Sequence, residues 1–110
     1  MAEGWILGIE STAHTFSFGL VDSNGIPKPS VSKIIRPTTG GIHPREAADH
    51  HVAESTEIFS KILAENDLLP SDISVVAYSQ GPGMGACLRT GAAAARAISS
   101  HLNVPLIGVN

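Results

Sequence analysis

Gly81-Pro82-Gly83-Met84-Gly85 places three glycines in five residues, between the apolar run Ile73 to Tyr78 and an alanine-rich segment starting at Ala86. A glycine loop that joins a strand to a helix lets backbone come close to a ligand. It also aims free helix N–H groups, and the positive end of the helix dipole, at any anion placed there. Two phosphate loops are excluded by spacing. No Gly-Lys-Ser/Thr follows, as a P-loop requires, and Gly81, Gly83 and Gly85 are two apart throughout, unlike a dinucleotide fingerprint. Spacing alone leaves a strain-free turn and an anion cradle as equal readings.

The segments around the loop fix the rest of the order. Trp5 to Ile9 is a nearly continuous apolar run, which predicts a buried strand. Glu10 to Thr15 interrupts it with small polar groups, Phe16 to Val21 resumes a strand pattern, and Asp22-Ser23-Asn24-Gly25 is a turn. A hairpin with a polar tip follows. Val31 to Ile35, inside a segment with three prolines, predicts a third strand at a sheet edge. Pro44 suits the first position of a helix running to about Asn66, with Ala48, Val52, Phe59, Ile62 and Leu63 mostly three or four apart. Leu68 to Asp72 is a connector, and Ile73 to Tyr78 is the next strand. Ala86 to Leu102 predicts a second helix whose slim surface, Gly91 to Ala95 and Ala97, lets something pack close. Pro105 to Val109 is the last strand. The order β-β-β-α-β-α-β makes an α/β domain over 1–110, a mixed sheet covered by helices.

Charge and composition narrow the function. The formal charge is −3, so any RNA contact must be local or supplied by other parts. One cysteine, Cys87, excludes an intramolecular disulfide, fits a reducing compartment and reads as a packing residue. No basic leader with an apolar stretch and no membrane-length apolar run is present, which predicts a soluble cytoplasmic protein. The tip Glu10, Ser11, Thr12, His14 and Thr15 offers hydroxyls, a carboxylate and an imidazole; it is a phosphate-holding loop, a carboxylate that orients a water or a metal-bound group, or an ordinary polar turn. His50 and His51 are adjacent and diverge by about 100° on a helix, and His43 lies seven residues from His50, so no histidine pair makes a metal site. Arg89 and Arg96 share a helix face and suit a phosphate, a partner's carboxylates, or plain solvation. Ser11 and Ser79 lack a nucleophile-elbow context, and no nucleophile–base arrangement supports a protease.

Taken together, Leu7-Gly8-Ile9-Glu10-Ser11-Thr12-Ala13-His14-Thr15, Gly40-Gly41-Ile42-His43-Pro44-Arg45-Glu46-Ala47-Ala48-Asp49-His50-His51, Gly81 to Gly91 and Pro105-Leu106-Ile107-Gly108-Val109-Asn110 closely resemble, in order and spacing, the universal tRNA threonylcarbamoyl-transferase family. Its archaeal and eukaryotic members are the catalytic subunit of the KEOPS complex, formerly called O-sialoglycoprotein endopeptidase or glycoprotease. The resemblance covers essentially the whole chain. It implies an actin/Hsp70/sugar-kinase-like N-terminal lobe. It implies transfer of a threonylcarbamoyl group from its adenylate to the adenosine beside a tRNA anticodon. It also implies one iron or zinc acting as Lewis acid on the donor. Glu10, Ser11, Thr12, His14, Thr15, Gly81 and Gly83 become the nucleotide- or phosphate-binding candidates, although Ser11 stands where many archaeal relatives have glycine.

The family's metal ligands follow the Gly-Val-Asn that ends this sequence. The resemblance therefore implies no catalytic or metal-binding residue within 1–110, an inactive fragment, and no tightly bound iron, zinc, adenylate or ATP. Its remaining role would be a docking platform. Ala48, Val52, Phe59, Ala92 and Ala95, on the two helices, are the expected contacts for a small dimerising KEOPS subunit. A kinase-like KEOPS subunit and tRNA would bind the full-length protein, and no membrane would be involved. A non-catalytic scaffold paralogue and a small-molecule kinase lobe are the alternatives.

Overall fold

A computed structural model describes residues 4–11, 15–34, 55, 57–83 and 85–110 of the chain. Strands β1 (Trp5–Ser11), β2 (Thr15–Val21) and β3 (Pro27–Ile34) come first. Helix α1 is described over 57–65, and a short 3-10 turn (Pro70–Asp72) leads into β4 (Ile73–Ser79), α2 (Gly85–Leu102) and β5 (Leu106–Val109). The strands form one mixed sheet in the order β3-β2-β1-β4-β5. β1 pairs antiparallel with β2 and parallel with β4, and β4 pairs parallel with β5.

Alternation along the strands sorts the side chains into two faces. Leu7 and Ile9 of β1, Phe16, Phe18 and Leu20 of β2, and Val76 of β4 turn to the helices and are buried with Ile58, Ile62 and Leu63 of α1 and Ala95 of α2. Phe16 and Phe18 meet edge to face, with ring centroids 5.3 Å apart, and Phe59 of α1 lies 6.2 Å from Phe18. Burying each such ring contributes about 1.5–3 kcal/mol. The opposite face is bare among the described residues. Across it Gly19, Gly8, Ala77 and Ile107 lie side by side in register on four neighbouring strands.

The third strand departs from expectation. It begins at Pro27, not Val31, so two prolines lie inside it. Position explains the tolerance: among the described residues β3 pairs only with β2, and an edge strand can leave a proline's missing N–H pointing outward. The preceding turn is held by the Asp22 carboxylate, whose Oδ1 accepts the N–H groups of Asn24 (2.9 Å) and Ile26 (3.0 Å).

Both helices end the same way. Asp67 (φ 53°) and Asn103 (φ 57°) enter the left-handed region, and Leu68 N–H and Val104 N–H reach back to the carbonyls of Leu63 (2.9 Å) and Ser99 (3.0 Å). These are Schellman-type ends in which aspartate and asparagine stand where glycine is usual. α2 starts at Gly85, one residue before the expected Ala86, and β5 at Leu106, one after Pro105. The predicted helix start at Pro44 lies outside the described residues.

Candidate functional site

The C-terminal ends of β1 and β4 and the first turn of α2 meet at one edge of the sheet. In open α/β sheets this is the edge where ligands bind, beside the point where strand order reverses. Here β1 is that point, with an antiparallel neighbour on one side and a parallel one on the other.

Two contacts join the polar tip to the glycine loop's helix. The Ser11 hydroxyl is buried and donates to the Cys87 carbonyl at 3.0 Å, across 76 residues of sequence. One turn later, a Cβ on Gly91 would sit 3.0 Å from the Ser11 Cβ, a distance that packed side chains rarely reach. Gly91 therefore lets α2 lie directly on the end of β1. Ser11 turns inward to the helix, and its hydroxyl hydrogen is committed to this tether. Glu10, its neighbour, lies on the bare face, beside a hollow of about 410 Å³ whose lining includes Gly8, Gly19, Ala77 and Ser79. Thr15 lies on that same face by alternation with the buried Phe16. Thr12 and His14 lie outside the described residues.

In the glycine loop, Gly81 has φ 154°, which favours glycine, and its bond to Pro82 is cis. Gln80 N–H, just before it, donates to Val109 O at 2.7 Å and locks the loop's entry to β5. Gly83 is exposed. The first turn of α2 carries no acidic residue, so its positive end is not neutralised from within that turn. Cys87 is fully buried, and burial pushes its thiol above the ordinary range, which disfavours a reactive thiolate.

The partner-face expectations divide. Ala95 is fully buried in the core against the sheet and is corrected from that face: it has no surface to offer. Phe59 and Ala92 keep part of their surface. Ala48 and Val52 lie outside the described residues. Phe59 instead joins Ser55, Ala94, Ala97 and Ile98 around a groove of about 150 Å³ between α1 and α2. Sequence reasoning had no means of choosing Ala94 and Ala97 over Ala95 in a run of similar alanines.

Sheet order and the strand–loop–helix edge define an actin/Hsp70/sugar-kinase-like lobe. YeaZ from Pseudomonas aeruginosa has the same fold, with a TM-score of 0.76 at 17% identity over 97% of this chain and 44% of that one. A family model described as "TsaD: tRNA N6-adenosine threonylcarbamoyltransferase" matches residues 29–110, and the chain belongs to that family. A tRNA N6-adenosine threonylcarbamoyltransferase of Methanococcoides burtonii is 46% identical over 96% of this chain and 32% of its own length. A probable bifunctional tRNA threonylcarbamoyladenosine biosynthesis protein of Thermoplasma volcanium is 48% identical over 96% of this chain and 20% of its own. The chain thus spans between a fifth and a third of the length of these curated relatives. No helix is long and apolar enough to cross a membrane among the described residues.

Proposed function

We propose that this chain forms the N-terminal lobe of a transferase that moves a threonylcarbamoyl group from its adenylate to the adenosine beside a tRNA anticodon. The observation that carries the reading is the family match over 29–110, joined to an edge where the end of β1 is tied to the first turn of α2. Glu10 and Thr15, with the backbone of Gly81 and Gly83, line the phosphate side of the adenylate. Ser11 holds that side in place through α2 instead of touching the nucleotide.

The family's metal is iron or zinc. Among the described residues no group of three or more His, Cys, Asp or Glu could hold it. Its ligands belong to the segment that in the family follows the Gly-Val-Asn motif. The two helices dock a small helical partner subunit of a KEOPS-type complex, with Phe59, Ala94, Ala97 and Ile98 around the receiving groove. A kinase-like subunit and tRNA complete the assembly, in the cytoplasm.

The test supplies the full-length protein that carries this lobe, and separately the 110-residue lobe, each with the partner subunits, threonylcarbamoyl-adenylate and tRNA, then digests the tRNA and measures the modified nucleoside by mass spectrometry; only the full-length protein is expected to be active. Threonylcarbamoyladenosine in the full-length protein's digest is the expected result. Unmodified tRNA there, with the adenylate consumed by nothing but water, would overturn the reading.

A further inference from the structure

A second recess, of about 390 Å³, lies between α2 and the end of β4, lined by Tyr78, Gln80, Leu88, Arg89, Ala92 and Arg96. Arg89 and Arg96 are both exposed. Among the described residues no ion pair or hydrogen bond engages either guanidinium, although the chain carries more acidic than basic side chains. Two uncompensated arginines on one helix face, in an otherwise acidic chain, form a local cationic surface.

The neighbouring groups are placed to complete it. The Gln80 amide donates to the Tyr78 hydroxyl at 3.4 Å, so the phenol's own hydrogen is available to an acceptor in the recess. Gln80 lies over Gly108 of β5, where any Cβ would collide with its side chain. At the other end, Arg89 folds back toward the glycine loop, and a Cβ on Gly85 would lie 3.3 Å from its Nη1. The recess thus runs from the first turn of α2 along its flank.

We propose that Arg89 and Arg96, with Tyr78 and Gln80, bind separate phosphates along one RNA strand. Arginine, tyrosine and glutamine side chains and a helix N-terminus are the groups that contact nucleic-acid phosphates. Planar guanidinium forks match phosphate oxygens in pairs. Residues seven apart are separated by about 10.5 Å along a helix axis, a span of several backbone charges on one strand. An acidic protein partner is the less suitable occupant, because the recess offers no aromatic anchor beyond the part-buried Tyr78. The inference rests on the tRNA reading above and deepens it, by assigning part of the RNA contact to the flank of α2.

The test measures binding of the full chain, with its partner subunits, to fluorescent tRNA by anisotropy over a series of salt concentrations. The proteins are the wild type, the double variant Arg89→Ala/Arg96→Ala and the double variant Arg89→Lys/Arg96→Lys. Both positions are exposed, and an unchanged thermal midpoint certifies the fold. Loss of two phosphate contacts lowers the slope of log affinity against log salt by about 1.5. The alanine variant is expected to show that drop with at least tenfold weaker binding, and the lysine variant to recover most of the slope. Tight binding of tRNA by the alanine variant, with an unchanged slope, would overturn the phosphate site and leave the transferase reading standing. Arginine-dependent RNA binding without nucleoside modification would support the site while the transferase reading fails. Weaker binding to polyglutamate but not to RNA in the alanine variant would assign the recess to an acidic protein and overturn the proposal.

Discussion

The two faces of the sheet come from the same strands and differ in every other residue. On the helix side, Leu7, Phe16, Phe18 and Val76 are fully buried. On the other, Gly8, Gly19 and Ala77 form a low row flanked by Ile6, Ile107 and Val109, which keep 39%, 50% and 50% of their surface. The difference shows what each face does. One holds the lobe together, and its end at Ser11 and Gly91 sets the position of the tip. The other keeps its middle clear of side chains and presents Glu10 beside the hollow.

The largest effect should separate the faces by stability. Phe18→Ala in the full chain removes a fully buried ring between Phe16 and Phe59 and is expected to cost about 3–5 kcal/mol in chemical denaturation. A loss below about 1 kcal/mol would place the core elsewhere. Two glycines give the next contrast. Gly91→Ala pushes a methyl group into Ser11 and should destabilise by about 1–3 kcal/mol, as overpacking does. Gly19→Ala has open space around its new methyl and should be neutral or stabilising by about 0.4–1 kcal/mol, because alanine restricts the unfolded chain. Equal effects at the two sites would erase the distinction between the faces.

The smallest effect concerns the β2–β3 turn at the sheet's edge. Asp22 is held below the ordinary carboxylate range, chiefly by the Ile26 N–H, then by Asn24 N–H and by Lys28, whose Nζ is 3.7 Å away. A carboxyl depressed by folding adds stability above its unfolded pKa and loses it as pH falls through the folded one. The wild type should therefore lose slightly more stability on acidification than Asp22→Asn, and parallel pH profiles would remove Asp22 from the account.

Much of the fold was legible from local pattern. Alternation in Phe16 to Val21 and the punctuation at Asp22 to Gly25 give the strands and their turn, and the glycine loop marks the junction of β4 with α2. The start of β3 was hidden because Pro27 and Pro29 argue against a strand until the edge position is known. The helix ends predicted at about Asn66 and at Leu102 hold, although Asp67 and Asn103, not glycine, take the left-handed position after them. Ala95 looked like its neighbours because only the sheet beneath α2 decides which alanine is buried. The tether from Ser11 to Cys87 joins residues 76 apart, and no local pattern carries such a pairing. Arg89 and Arg96 were visible as a shared face, but Tyr78 and Gln80 join them only through the turn from β4 into α2.

The central claim is that the tip works from where α2 holds it. A misplacement of about 1 Å, even one caused by a mutation away from the reacting atoms, costs up to about 100-fold in rate. The most direct measurement is therefore threonylcarbamoyl transfer to tRNA by the full-length protein that carries this lobe, with Gly91→Ala or Gly19→Ala, at saturating adenylate and well below either variant's unfolding midpoint. The account predicts at least a tenfold fall for Gly91→Ala and a rate within twofold of wild type for Gly19→Ala. Equal rates in the two variants would contradict it.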